Sequence, residues 1–371
     1  MPGGASRVAV TLAPCLLAWR TTPLHDREVV DALVDPAHAG PSLELASALR
    51  QWPGTYYWSD EADGRHLVLT RRTYKSREAW SVHALLFAAV LVTTTLTGAM
   101  LGGGGISMHP SSWHGATFFH ALSRGLLFSL PLLAILLTHE LGHYITARRY
   151  QINVSPPFFL PSFPPPFGIG TLGAFIRLRT IVNDRRQLLD VGAAGPIAGF
   201  IVALPILWIG LLHSHPTLER GLHGMVVALG DETVLPGDSV LTLLLRRFLI
   251  GQDQTIVLHP TAFAGWFGMF VTMLNLLPMA QLDGGHIVYS ATTRWHEPVA
   301  RAFWVVVMLL GWFWIGWLVW GFVVLLLSRG QLRHPPVLDA YRPLPASRKW
   351  LLLASLVLFI LTFVPAPFRA P

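Results

Sequence analysis

The chain has 371 residues, of which 52% are apolar and 13% charged, with a formal net charge of +7. Soluble domains carry about 25% charged residues, so this composition excludes a purely soluble enzyme and points to a membrane protein. The basic residues lie beside apolar segments, as membrane topology requires, which argues against a nucleic-acid partner. A single cysteine, Cys15, excludes an internal disulfide and leaves no metal site to be built from thiolates.

Residues 1–78 hold 18 charges, 9 basic and 9 acidic, out of 47 in the whole chain. A normally charged head therefore precedes a long apolar body. The expected division is a small soluble α+β domain over 1–78, facing the cytoplasm, and a membrane-embedded domain over 79–371. Within the head, residues 25–49 have helical spacing around Val29, Val30, Leu33, Leu43 and Leu45. Residues 55–57 and 67–69 read as short strands about a turn at Asp63 and Gly64.

From residue 79 onward, each apolar stretch is measured against the roughly 20 residues a bilayer requires. Spans are predicted at 79–101, 125–147, 187–212, 261–278, 302–327 and 350–366. The fold class expected is an all-α polytopic membrane protein with about six transmembrane helices and a re-entrant loop or short β segment. Basic flanks at Arg71, Arg72, Lys75, Arg77, Arg148, Arg149, Arg185 and Arg186 place the head and 148–186 in the cytoplasm. The loops at 102–117 and 213–238 then fall outside. One conflict arises: a single span at 302–327 would put Arg329, Arg333, Arg342, Arg348 and Lys349 outside. Either residues 311–316 break that stretch into a re-entrant pair or the charge rule fails there.

Inside the second span, residues 138–143 read Thr-His-Glu-Leu-Gly-His. His139 and His143 are four apart and share one helix face, the geometry two imidazoles need to hold one zinc at about 2.0–2.1 Å. Glu140 lies beside them, where it can take a proton from a water that zinc activates. Ionisable groups at membrane depth are costly and normally serve function. Zinc needs a third protein ligand, and the outstanding carboxylate is Asp283, just beyond the fourth span in Asn275-Leu-Leu-Pro-Met-Ala-Gln-Leu-Asp-Gly-Gly-His286. Gly284 and Gly285 free the backbone to turn there.

These paired motifs resemble the site-2 protease family of intramembrane zinc metalloproteases. The resemblance covers about residues 79–366, and residues 158–179 and 192–200 are similar to the branch of bacteria, archaea and chloroplasts that lacks a PDZ domain. It implies that His139, His143 and Asp283 bind one Zn2+ per chain, that Glu140 is the catalytic acid/base, and that Asn275 helps hold substrate. Met279, Ala280 and Gln281 replace a Pro-richer filler between Pro278 and Asp283.

Six prolines between 156 and 166 forbid a helix, and residues 173–180 alternate as a strand. Such backbone suits a re-entrant loop and an edge strand beside the zinc, with Gly173 and Phe175 contacting an extended substrate. Gly195 and Gly199 permit close helix packing that would brace the HExxH helix. His286 is either a donor to Asp283 or a solvated side chain. The function expected is hydrolysis of peptide bonds within or near transmembrane segments of other membrane proteins, with the lipid bilayer as the second partner. A metal transporter or a catalytically silent helix-binding scaffold is the alternative. The expected location is a bacterial inner membrane, with the active site nearer the cytoplasm.

Overall fold

The computed structural model describes residues 12–24, 27–40, 42–50, 52, 54–72, 78–101, 115–165, 168–179, 182–217, 224–229, 232–251, 254–337, 339 and 342–369. Most of the loop expected outside at 102–117 lies beyond these residues, as does Thr180. The chain divides into two compact units, Met1–Glu78 and Ala79–Pro371.

The described residues of the first unit form a four-stranded antiparallel sheet in the order β1-β2-β4-β3, with a helix between β2 and β3. Its elements are β1 (Leu16–Pro23), β2 (Arg27–Val34), α1 (Leu43–Arg50), β3 (Thr55–Glu61) and β4 (Gly64–Arg72). Leu45, Leu49, Trp52, Leu67, Leu69 and Cys15 form its core. The β3–β4 hairpin turns at Asp63 and Gly64 as expected, but residues 27–34 are a strand and not a helix. The reason is tertiary: β2 pairs on both edges, with β1 and with β4. Its β-branched Val29 and Val30 suit that setting, and a short apolar run carries no period strong enough to oppose it.

The second unit is mostly helical. Among the described residues, three of its helices are long and apolar enough to cross a membrane: α2 (Trp80–Met100), α3 (Gly115–Arg149) and α4 (Arg185–Leu212). Shorter helices follow: α5 (Val240–Leu249), α6 (Pro260–Leu276), α7 (Asp283–Ala291), α8 (His296–Leu310), α9 (Gly316–Leu327) and α10 (Lys349–Thr362). Helix α4 is central and packs on α3, α6 and α7. It starts at an Asp184 cap that accepts from the Gln187 N–H, and it carries Pro196 and Pro205 inside.

Two expectations need correction here. The stretch 302–327 is not one span but a hairpin, α8 and α9, broken between Leu310 and Gly316. The limbs approach closely because Gly321 has no side chain: a Cβ there would sit 2.7 Å from Met308 Sδ. Across the hairpin, Trp304 Nε1 donates to the Gly321 carbonyl at 3.1 Å. The basic residues after α9 therefore return to the end where α4 begins. Arg185 donates to the Arg342 carbonyl at 2.8 and 3.1 Å, and Arg348 grips Asp190 at 2.7–3.1 Å. Tyr150, just past α3, donates to the same carboxylate.

The second correction concerns the all-α description. Beyond a hairpin of β5 (Phe158–Pro161) and β6 (Thr171–Phe175), the body carries a five-stranded sheet in the order β11-β9-β8-β10-β7. Its strands are β7 (His215–Pro216), β8 (Met225–Leu229), β9 (Glu232–Pro236), β10 (Ile256–Val257) and β11 (Phe368–Arg369), so the described residues of the segment read as a loop at 213–238 are largely strand. Trp266 of α6, fully buried, donates to the Gly237 carbonyl at 2.9 Å and packs on Phe368, fastening this sheet to the helices.

Candidate metal centre

The HExxH residues lie on α3, and their spacing turns both imidazoles to the same side. His139 Nε2 and His143 Nε2 are 3.1 Å apart. Asp283 Oδ2, at the first position of α7, is 3.2 Å from each of them. All three side chains are largely shut off from solvent.

The hydrogen bonds fix which ring atoms are bare. His143 Nδ1 lies 2.7 Å from the Val191 carbonyl, which can only accept, so a neutral His143 has its lone pair on Nε2. Asn275 Nδ2 points at His139 Nε2 from 3.3 Å, which leaves the lone pair of His139 on that same atom. Two nitrogen lone pairs and a carboxylate oxygen thus converge within hydrogen-bond distance. A shared proton satisfies one pair of these atoms at a time, whereas a divalent cation satisfies all three. Two imidazoles and one carboxylate form a donor set that suits zinc and leaves a fourth position open. The orienting bond from Val191 is of the kind that metal-binding histidines use.

Helix α4 makes room for this arrangement by having no side chains where the histidines lie. A Cβ at Gly195 would fall 2.0 Å from His143 Nε2, and one at Gly199 would fall 3.1 Å from His139 Cβ. A Cβ at Gly192 would lie 2.9 Å from His286 Cβ. Packing is what the two glycines were expected to supply, and the surface they pack on is the two imidazole rings.

A cavity of about 190 Å³ adjoins the site, lined by His139, Glu140, His143, Asn275, Asp283 and His286, with Ala174, Phe175 and Ile176 closing another side. The latter belong to the Pro-rich segment, which folds as an antiparallel hairpin, β5 (Phe158–Pro161) with β6 (Thr171–Phe175). Phe158 stacks on Phe175 at 5.4 Å, and Leu160 pairs with Gly173. The hairpin is anchored to α2, where Thr93 Oγ1 donates to the Gly170 carbonyl at 2.6 Å. Gly173, with φ of +102° and open space where a Cβ would be, sits on the strand rather than in the cavity.

The structure therefore brings together His139, Glu140, His143, Asn275, Asp283 and Phe175, with Gly173 two residues from Phe175. The Val191 carbonyl was not foreseen; it is a backbone group, and no side-chain pattern announces it. His286 makes no hydrogen bond to Asp283; its Nδ1 turns instead to His334 at 2.6 Å.

Comparison with known proteins agrees with this geometry. The model of peptidase family M50 matches residues 127–315, a little over half the chain and a range that holds all of these site residues. A rice protein (Oryza sativa subsp. japonica) named probable zinc metalloprotease EGY1, chloroplastic, is 31% identical over 241 residues, 63% of this chain and 39% of its own. The Arabidopsis thaliana protein of the same name is 32% identical over 249 residues, 64% of this chain and 43% of its own. Arabidopsis EGY2, also named a probable chloroplastic zinc metalloprotease, is 35% identical over 175 residues, 47% of this chain and 30% of its own. The chain thus spans less than half the length of these relatives. Their chloroplastic names give no support to a bacterial inner membrane. No solved structure matches. A zinc-type donor set on a membrane-length helix, within a segment that the family model matches, leads to one conclusion: the chain belongs to peptidase family M50, the site-2 protease family.

Proposed function

We propose that the chain is a zinc metalloprotease that hydrolyses peptide bonds within or near transmembrane segments of other membrane proteins. The observation that carries this reading is that Glu140 shares one cavity with His139, His143 and Asp283 and with Phe175, the last residue of β6. When bound, zinc would be held by His139, His143 and Asp283 and would polarise the scissile carbonyl and acidify water. Glu140 is the group placed to take a proton from the attacking water and deliver it to the departing amide nitrogen. Among the described residues, β6 pairs only with β5 in its sheet, so its other edge is available to an unwound substrate. A substrate strand added there would run past Phe175 toward Glu140.

Cleavage of a candidate membrane protein should occur with the wild-type chain and fall by about 10²–10⁴ with Glu140→Gln, the range for loss of a general base. Gly173→Pro should depress cleavage while zinc stays bound, because proline cannot adopt the positive φ of that position and removes the N–H that now bonds Thr171 Oγ1. Cleavage at wild-type rate by Gly173→Pro would reduce the hairpin to a connector.

The proposed setting is a bilayer crossed by α2, α3, α4, α6, the α8–α9 hairpin and α10, one helix more than the six expected. His139 lies nine residues before Arg148, about 13 Å along α3 at 1.5 Å per residue. The zinc site would then lie below the membrane surface on the basic, cytoplasmic side. Exposed Arg149 and exposed His215 mark opposite ends of the body. In a Cys15→Ser background, an impermeant thiol reagent added to intact cells should label His215→Cys and leave Arg149→Cys untouched. The opposite labelling would invert the orientation.

A further inference from the structure

Three histidines that the metal centre does not use gather behind it: His286 on α7, His296 at the start of α8, and His334 in the connector after α9. His334 stacks on Tyr289 at 4.4 Å, and the rings of His286 and His296 stand nearly perpendicular to it. His334 lies beyond the residues that the family model matches, 127–315.

The hydrogen-bond chain through this group has one direction. The Pro335 carbonyl lies 2.5 Å from His334 Nδ1 and can only accept, so Nδ1 carries the hydrogen. Burial pushes the pKa of His334 down to about 3, so the ring is neutral and its Nε2 is bare. That bare nitrogen is 2.6 Å from His286 Nδ1, which must therefore be the donor. With its proton on Nδ1, a neutral His286 presents an unprotonated Nε2. His286 lines the zinc cavity, and among the described residues no protein group bonds its Nε2. The absence of a side chain at Gly192 lets α4 close against His286 Cβ and limits how far the ring can shift.

We infer that His286 Nε2 is a hydrogen-bond acceptor for a backbone N–H of the substrate, and that His334 is the positioning residue that holds it in the accepting tautomer. This rests on the proteolysis proposed above. A peptide unwound into the site gives up the water and helical partners of its N–H groups, and a buried donor left unpaired is costly. An acceptor is therefore needed where the chain passes the ligands, and the neighbouring Val191 carbonyl already serves His143. His286 supplies one at the Asp283 end of the cavity.

The test uses the full chain in lipid vesicles and a synthetic transmembrane peptide that the wild-type enzyme cleaves. His286→Leu and His334→Leu should each lower kcat/KM about tenfold with one zinc retained per chain. His334→Gln, whose amide oxygen can accept from His286 Nδ1, should recover most of the loss. Replacing single peptide N–H groups near the scissile bond by ester oxygens should cost the wild type about tenfold at one position. At that position His286→Leu should lose nothing further. Histidine nitrogen-15 spectra give a readout independent of cleavage: the assigned His286 and His334 rings should each be neutral with the proton on Nδ1, and His334→Leu should abolish the His286 donor resonance. Wild-type rates in both leucine variants, an ester effect that adds fully to His286→Leu, or an Nε2–H tautomer for His286 would each overturn the inference. A wild-type chain that cleaves no membrane peptide yet shows the Nδ1–H tautomers would instead sink the proteolysis reading.

Discussion

Gly195→Ala is expected to abolish zinc binding and proteolysis together while leaving the chain folded. The new Cβ would sit 2.0 Å from His143 Nε2 and within 2.5 Å of two further ring atoms. Contacts that short cannot persist, so something must move. Helix α3 cannot back away easily, because α2 and α6 are also packed on it. The ring must therefore rotate, breaking its 2.7 Å bond to Val191 and carrying Nε2 away from His139 and Asp283. Overpacking of this kind costs about 1–3 kcal/mol, which a helical body of this size can bear. The metal centre cannot bear it, because one of its three ligands has left. Zinc should drop to a small fraction of one per chain and cleavage by more than about 100-fold. Gly199→Ala is the graded control, since its Cβ would meet His139 Cβ at 3.1 Å, a contact that small shifts relieve. Metal analysis showing full zinc in purified Gly195→Ala would refute this account of the α4 face.

Much of the site was legible because its chemistry stands out against an apolar background. Only Arg124 and Glu140 carry charge between residues 79 and 147, so a glutamate flanked by two histidines one turn apart is conspicuous there. Asp283 was found in the same way, as a carboxylate beside an apolar span. What escaped notice are relations between distant segments. Nothing in the glycines at 192, 195 and 199 says that histidines rather than alkyl groups will fill the space opposite them. His334 is 48 residues from His286, with the α8–α9 hairpin between them, and no spacing rule links the two.

The two misreadings of the fold have separate causes. Helical spacing across 25–49 was produced by joining Val29, Val30 and Leu33 to Leu43 and Leu45, which belong to different elements, β2 and α1. The break within 302–327 is silent in hydropathy, since Gly311, Trp312, Phe313 and Trp314 are as compatible with lipid as their neighbours. It was visible only through charge: the arginines that follow could not all lie outside. Arg348 paired with Asp190, and Arg342 paired with Asp184 at the start of α4, resolve that conflict in favour of a hairpin.

Asp283→Ala should release the metal as completely as His139→Ala or His143→Ala. Asp283 Oδ2 is the one anionic atom that touches both imidazoles, at 3.2 Å from each. Without it, two neutral nitrogens 3.1 Å apart would have to hold a doubly charged ion in a pocket largely closed to solvent, with no bonded anion and only Glu140 nearby to offset its charge. Burying charge without compensation is among the costliest changes a protein can suffer, so the ion should leave. Wild-type protein should contain about one zinc, lost on chelation together with cleavage and regained on adding zinc back. Asp283→Ala should contain almost none and regain neither. Asp283→Asn separates charge from geometry: the amide oxygen can still point at the site, so zinc should bind weakly and return only at high concentration. Asn275→Ala gives the comparison at the opposite edge, because its amide supports His139 without lending charge, and zinc should survive there. Undiminished zinc in Asp283→Ala would remove that residue from the ligand set. His286, the next imidazole along α7, would then be the first candidate to replace it, and its Nδ1 bond to His334 would become the feature that orients a ligand.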